Sequence, residues 1–217
     1  LVLMFFLMIV GIIYVEQGQR RIPIQFAKRV RGRKVMGGQS TYIPLKVNSA
    51  GVIPVIFATS VLFFPALIAT SLPQDNSITA GIRNWIDVNL ANSQGTSWFY
   101  IFFLGMLIIF FTYFYTTIQF DPVRQSDMIR RQGGFVPGVR PGISTTNYLS
   151  HIISRITLPG SVFLASVAVL PSIASAIWDI PLGFSGISIL ITVGVALETM
   201  KQIESQLSMR NYEGFVD

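Results

Sequence analysis

Five stretches of this chain carry no charge, and the charges crowd between them. The runs are LVLMFFLMIVGIIYV at 1–15, AGVIPVIFATSVLFFPALIATSL at 50–72, SWFYIFFLGMLIIFFTYFYTTIQF at 97–120, ITLPGSVFLASVAVLPSIASAIW at 156–178 and IPLGFSGISILITVGVAL at 180–197. As helices, the last four are long enough to cross a hydrocarbon core roughly 30 Å thick. The first has 15 residues, short of the about 20 a span needs. It reads as the later part of a transmembrane helix whose beginning precedes Leu1, and the chain reads as a piece of a longer protein. It lacks the basic start and small-residue cleavage site of a signal peptide. Buried helices of a large soluble domain are the alternative, but such helices are seldom uncharged on every face for so long.

Composition agrees. Of the 217 residues, 51% are hydrophobic and 12% charged, and the mean hydropathy is +0.58. A soluble domain carries about 25% charged residues. The chain has no cysteine, which excludes disulfides and thiolate metal sites. The charges then set the topology. Eight Lys/Arg lie in 16–46, five in 121–155 and two in the tail from 201, while the opposite side holds only Arg83. The positive-inside rule makes the first side cytoplasmic. The expected order is the end of a transmembrane helix (1–15), a cytoplasmic basic loop (16–47), a span (48–72), an extracytoplasmic loop (73–96), a span (97–120), a cytoplasmic loop (121–155), two spans (156–178 and 180–200) joined near Asp179, and a cytoplasmic tail (201–217). The fold class is all-α, a polytopic membrane helical bundle of about five transmembrane helices, the first partial.

Several spans contain helix breakers: Pro54 and Pro65, then Pro159, Gly160 and Pro171, then Gly183, Gly186 and Gly194. Pro removes a backbone donor and kinks a helix. Two readings stand. Gly and Pro are common in transmembrane helices, or these helices bend and part around a cavity. Polar Asn48, Thr59, Ser60, Ser185 and Ser188 fit partial water exposure, and equally fit helix-packing contacts.

No charge lies deep within a span, which argues against an ion-coupled pump. The one histidine, His151, cannot make a multi-histidine metal site. No GxSxG, HExxH or GxxxxGK[ST] motif is present. Neither enzymatic activity nor a cofactor or metal is expected.

Two loops remain. In 15–48, basic residues alternate with Ile22, Ile24, Phe26, Val30 and Val35. Its IPIQF stretch has the period of a short strand or hairpin. It is either a topology-fixing loop that touches anionic lipid or a docking surface for RNA or an acidic protein. GGFVPGVRPG at 133–142 sets Arg140 among glycines and prolines. It is a turn that happens to carry an arginine, or a stiff mount that projects Arg140 for a bidentate contact.

VEQGQRRIPIQFAKR, QSTYIPLKVNSAGVIPVIFATS and GGFVPGVRPG, in this order, resemble the bacterial SecY family, the channel subunits of the Sec translocon. The resemblance runs through all 217 residues and corresponds to the family's C-terminal half. It implies a protein-conducting channel in the bacterial plasma membrane, through which unfolded preproteins cross and membrane helices leave sideways. It implies that Ile56 and Ile191 belong to an apolar pore ring, and that Asn48, Ser60 and Phe64 lie on the helix forming one side of a lateral gate. Arg140, and Arg20 and Arg21 at the basic tip of the preceding loop, would contact the SecA motor or the ribosome and its RNA. Further partners implied are SecE, SecG, preprotein signal sequences, membrane lipid and the N-terminal half. A secondary transporter half built from broken helices and an intramembrane enzyme are the competing readings. The missing intramembrane charge and the large basic loops count against the first. The lack of a credible nucleophile and base counts against the second.

Overall fold

A computed structural model describes residues 2–26, 29–31, 34–36, 40–71, 77–90, 97–178 and 185–213. Lys28, Arg33, the link at Asp179, Gly183 and parts of the expected 73–96 loop lie outside the described residues. The elements in order are α1 (Val2–Gln17), β1 (Gln19–Phe26), β2 (Arg29–Arg31), β3 (Lys34–Met36), β4 (Ser40–Lys46), α2 (Ile53–Ser71), α3 (Ser77–Asn89), α4 (Trp98–Gln119), α5 (Pro122–Arg131), β5 (Gly134–Phe135), α6 (Ile143–Trp178) and α7 (Gly186–Glu213).

Two layers share one long helix. In the apolar layer, α2, α4, α6 and α7 are each long and apolar enough to cross a membrane, and α1 is a shorter apolar helix. This is a multi-pass membrane architecture. α6 is the most buried of the four. Its Leu164 and Ala168 join Ile12 of α1, Val55 of α2, Leu104 of α4 and Leu190 of α7 in one core. Two glycines let backbones close up. A Cβ on Gly160 would lie 2.7 Å from the Val47 carbonyl oxygen, and one on Gly186 would strike the carbonyls of Val167 and Ala168.

The second layer is a small cap. β1 pairs antiparallel with β4 (Ile22 opposite Ile43) and with β5 (Gln25 opposite Phe135), in the order β4-β1-β5. β2 and β3 pair separately, Val30 opposite Val35. Burial along β1 has period two: Ile22 and Ile24 point inward, Arg21, Pro23 and Gln25 outward. A second core forms beneath the sheet from Ile22, Ile24, Leu45, Ile129, Val136 and Leu149.

The structure differs from the sequence-based boundaries where caps and cap packing intervene. Residues 121–155 are not a loop; they hold α5, β5 and the start of α6. Asp121 starts α5 by accepting from the backbone N–H of Val123 (2.9 Å) and Arg124 (3.3 Å), with Pro122 at the first helical position. α6 starts at Ile143, well before the apolar run, because Thr145, Leu149 and Ile152 repeat at helical spacing and bury in the cap. At about 1.5 Å per residue, its 36 residues span about 54 Å. That exceeds the hydrocarbon core, so one rod serves both layers. α2 begins only at Ile53, since Gly51 has φ +65° and stops a helix from reaching back to 48. α3 occupies part of the expected 73–96 loop. α7 continues into the expected tail as far as Glu213, with no Gly or Pro between Gly194 and Gly214 to end it sooner.

Candidate functional site

α2 carries an open stripe. Ile56, Ser60 and Phe64 repeat every fourth residue and so share one face. Ile56 is 44% exposed and Phe64 63%, and Ser60 is exposed between them. The opposite face buries Val55, Ala58 and Leu62. Ser60 donates 2.8 Å to the Ile56 carbonyl, so its hydroxyl is satisfied within the helix. Phe57, beside the stripe, stacks on Phe111 of α4 with ring centroids 6.0 Å apart. Pro65, inside the helix, has no N–H for the Val61 carbonyl, which loosens the turn under Phe64.

Ile191 is related to Ile56 through one contact near the cap. α2 leaves the cap side, and α7 returns towards it after α6 has crossed, so the two run antiparallel. A Cβ on Gly194 of α7 would meet Val52 Cγ1 at 3.6 Å. Ile56 lies one turn beyond Val52 and Ile191 one turn before Gly194. With opposite chain directions, both steps lead away from the cap. Ile191 is half-buried there.

Asn48 is not on the gate-like helix where the sequence puts it. It sits in the turn between β4 and α2, ahead of Ile53. It is buried, and its Nδ2 donates 3.0 Å to Glu16 Oε2 at the end of α1. Its Oδ1 is buried without a partner among the described residues.

The cap carries the charge. Arg140 is exposed on a mount made of successive fixed points. Gly133, φ +74°, turns the chain out of α5. Gly134 runs so close under the sheet that a Cβ would lie 2.9 Å from Ile24 Cγ2. Val136 to Val139 form a turn closed by a 3.1 Å bond from Val139 N–H to the Val136 carbonyl, with Pro137 and then Gly138 at φ +83°. That is the pattern of a type II turn. The Thr145 hydroxyl then donates 3.0 Å to the Arg140 carbonyl. So 133–142 is no free loop; its Gly134–Phe135 segment, β5, is the third strand of the β1–β4 sheet.

Arg20 and Arg21 are exposed, but not at the tip of their loop. They open β1 at its base, opposite Leu45 and Pro44, next to the end of α1. The strand begins as soon as α1 ends, and the tip falls between β1 and β4. Arg21 lies over the Tyr42 ring, 4.8 Å from its centroid. Among the described residues the one ion pair is Arg83–Asp87, at 3.7 Å and outside the cap. Arg20, Arg21, Arg124, Arg130, Arg131 and Arg140 thus present charge without a carboxylate partner.

Residue-by-residue reading of the sequence misses Glu16, Ser126, Thr145 and Gly134. Only the doublet Gly133–Gly134 signals one of them, since paired glycines before a strand mark a close backbone approach.

Comparison with known proteins agrees with this architecture. The SecY family model matches residues 1–200. A protein translocase subunit SecY of Streptomyces scabiei is 51% identical over 215 residues, covering 96% of this chain and 47% of the relative. One from Mycobacterium bovis is 50% identical, covering 97% and 48%. The chain thus spans about half the length of the curated relatives it matches. A solved structure of a protein-conducting channel has a TM-score of 0.56 at 18% identity, covering 92% of this chain and 47% of that one. A structure concerning the plug domain of the SecY protein has a TM-score of 0.55 at 16% identity, covering 94% and 49%. Sequence, helices and cap agree on one assignment: the chain belongs to the SecY family.

Proposed function

We propose that this chain is the C-terminal half of a protein-conducting channel, which passes unfolded preproteins across the bacterial plasma membrane and releases helices sideways into it. The observation that carries the reading is the open, mostly apolar stripe on α2, with Ile56 and Phe64 exposed on it. A buried-core helix would have packed these residues, whereas a channel needs an unpartnered apolar waist. Isoleucines there form a dry, deformable gasket that holds back ions and yields to a passing side chain. Ser60 and Phe64 continue the stripe towards a lateral gate, and Pro65 supplies the bend that opening needs.

The cap is cytoplasmic in this reading. Its arginines, without a carboxylate partner among the described residues, suit a polyanion such as ribosomal RNA or an acidic face of the SecA motor. Arg140, on its stiff turn, is the contact that the motor or ribosome grips, and Arg20 and Arg21 add charge at the foot of the hairpin. SecE, SecG, signal sequences, lipid and the N-terminal half complete the working assembly.

The test uses the absence of cysteine in this half. A single Ile56→Cys substitution is placed in a cysteine-free full-length channel, and a preprotein carrying a thiol crosslinker is stalled midway. A crosslink that requires the stalled chain is expected. No crosslink in a channel that still translocates would place the waist elsewhere.

A further inference from the structure

Glu16 stands in the last turn of α1, a turn without a basic residue. A carboxylate there opposes the negative end of the helix dipole. What it gains is one contact: its Oε2 accepts a 3.0 Å hydrogen bond from Nδ2 of Asn48. Asn48 is 6% exposed, and its other amide atom, Oδ1, is buried with no partner among the described residues.

The two ends of an amide are assigned by what they face. A carboxylate accepts and does not donate, so the Asn48 amino group must turn to Glu16 and the carbonyl oxygen must turn away. The reverse orientation would set oxygen against oxygen. Glu16 therefore decides which atom of Asn48 the site presents. A buried carbonyl oxygen without a donor is costly and is rarely left so.

We propose that Glu16 is a positioning residue, which holds Asn48 Oδ1 as the acceptor for an N–H or O–H donor that the described residues do not supply. The inference rests on the channel reading above. Two sources share the required chemistry: a polar group from the rest of the full-length channel, or a backbone N–H of the polypeptide passing through it. Extended polypeptide carries such donors free.

The experiment compares four forms of the full-length channel in vesicles: wild type, Glu16→Gln, Asn48→Asp and the double substitution. Three quantities are read: ion conductance without substrate, translocation of preproteins with strong and weak signal sequences, and thermal midpoint. Glu16→Gln lets the amide turn over. The expected change in conductance or in weak-signal translocation is roughly two- to ten-fold, the worth of one hydrogen bond. Asn48→Asp sets carboxylate against carboxylate and is expected to be the most damaged. The double substitution is expected to recover to within about two-fold, since the new glutamine amide donates inward and a carboxylate oxygen again faces outward. A change in resting conductance assigns the donor to the channel itself. Unchanged resting conductance, with weak signals losing more than strong ones, assigns it to the passing chain.

The proposal is overturned if Glu16→Gln matches wild type in conductance and signal dependence, if it lowers the thermal midpoint alone, or if the double substitution is no better than Asn48→Asp. Crosslinking at position 56 in the same preparation separates this failure from failure of the channel reading, because it does not depend on Glu16.

Discussion

The Ser126 hydroxyl of α5 donates a 3.1 Å hydrogen bond to the carbonyl of Gly142, 16 residues further along the chain. That carbonyl also accepts from the backbone N–H groups of Thr145 (3.0 Å) and Thr146 (3.2 Å), which open α6. One acceptor thus ties the helix before the Arg140 turn to the helix after it. Ser126 is buried, so Ser126→Ala removes the bond without giving its partner water. The expected cost is about 1 kcal/mol, localised to the turn. Limited proteolysis of the full-length protein checks it: cleavage within 132–142 should rise roughly five-fold at that cost. Unchanged cleavage would show that the turn is held by other contacts.

Gly133 and Gly134 are neighbours with different needs. Gly133 has φ +74° and open space where a Cβ would stand, whereas a Cβ on Gly134 would lie 2.9 Å from Ile24 Cγ2 and 3.1 Å from Phe26 Cε1. Gly133→Ala should cost about 1–2 kcal/mol through backbone strain, with Gly133→Asn milder because asparagine tolerates that region. Gly134→Ala should cost about 1–3 kcal/mol through overpacking, and Gly134→Val more. Thermal midpoints of the purified protein rank the series. An asparagine tolerated better at 134 than at 133 would contradict the assignment.

Gly160 meets a backbone oxygen, that of Val47, which cannot rotate out of the way. Gly160→Ala must part α6 from the turn after β4. We expect a lowered thermal midpoint and weakened translocation, at a cost of about 1–3 kcal/mol. Gly105→Ala is the control: it has nothing within 4 Å in the same apolar layer, and alanine favours a helix by up to about 1 kcal/mol. If both substitutions behave alike, the close approach has no energetic weight.

Arg140 is exposed and has no carboxylate partner among the described residues. Arg140→Glu should lower motor-driven translocation at least about ten-fold, the scale of one lost charged contact. Arg140→Lys should be intermediate, because an ammonium keeps the charge and loses the planar fork. Binding of the motor to channel vesicles should weaken with salt in the wild type and less steeply in Arg140→Glu. Normal translocation and normal motor binding in Arg140→Glu would remove the proposed role of this turn.

Much of the candidate site is legible in the sequence. Ile56, Ser60 and Phe64 are singled out by the resemblance to the SecY family, and their spacing within an uncharged run then puts them on one helical face. The strand in IPIQF follows from its alternation, and Ile22 and Ile24 bury as that period requires. Asn48 falls outside α2 although the uncharged stretch gives no sign of where the helix starts; Gly51, in the left-handed region, decides that. The resemblance puts Arg20 and Arg21 at a loop tip, but a strand begins as soon as α1 ends and leaves them at its base.

The division has a physical basis. Spans, charge sidedness and turn chemistry arise from neighbours along the chain, and each is set by hydropathy, charge or backbone preference at its own position. The sequence by itself therefore determined the apolar helices, the clustering of the basic residues and the turn residues around Arg140. The tertiary structure decided what meets across the chain: β5 joining β1 with Gln25 opposite Phe135, Asn48 reaching Glu16 across 32 residues, and α6 running on from the apolar core into the cap. Such contacts form because two distant surfaces fit when both are already folded, and local periodicity carries no record of a partner.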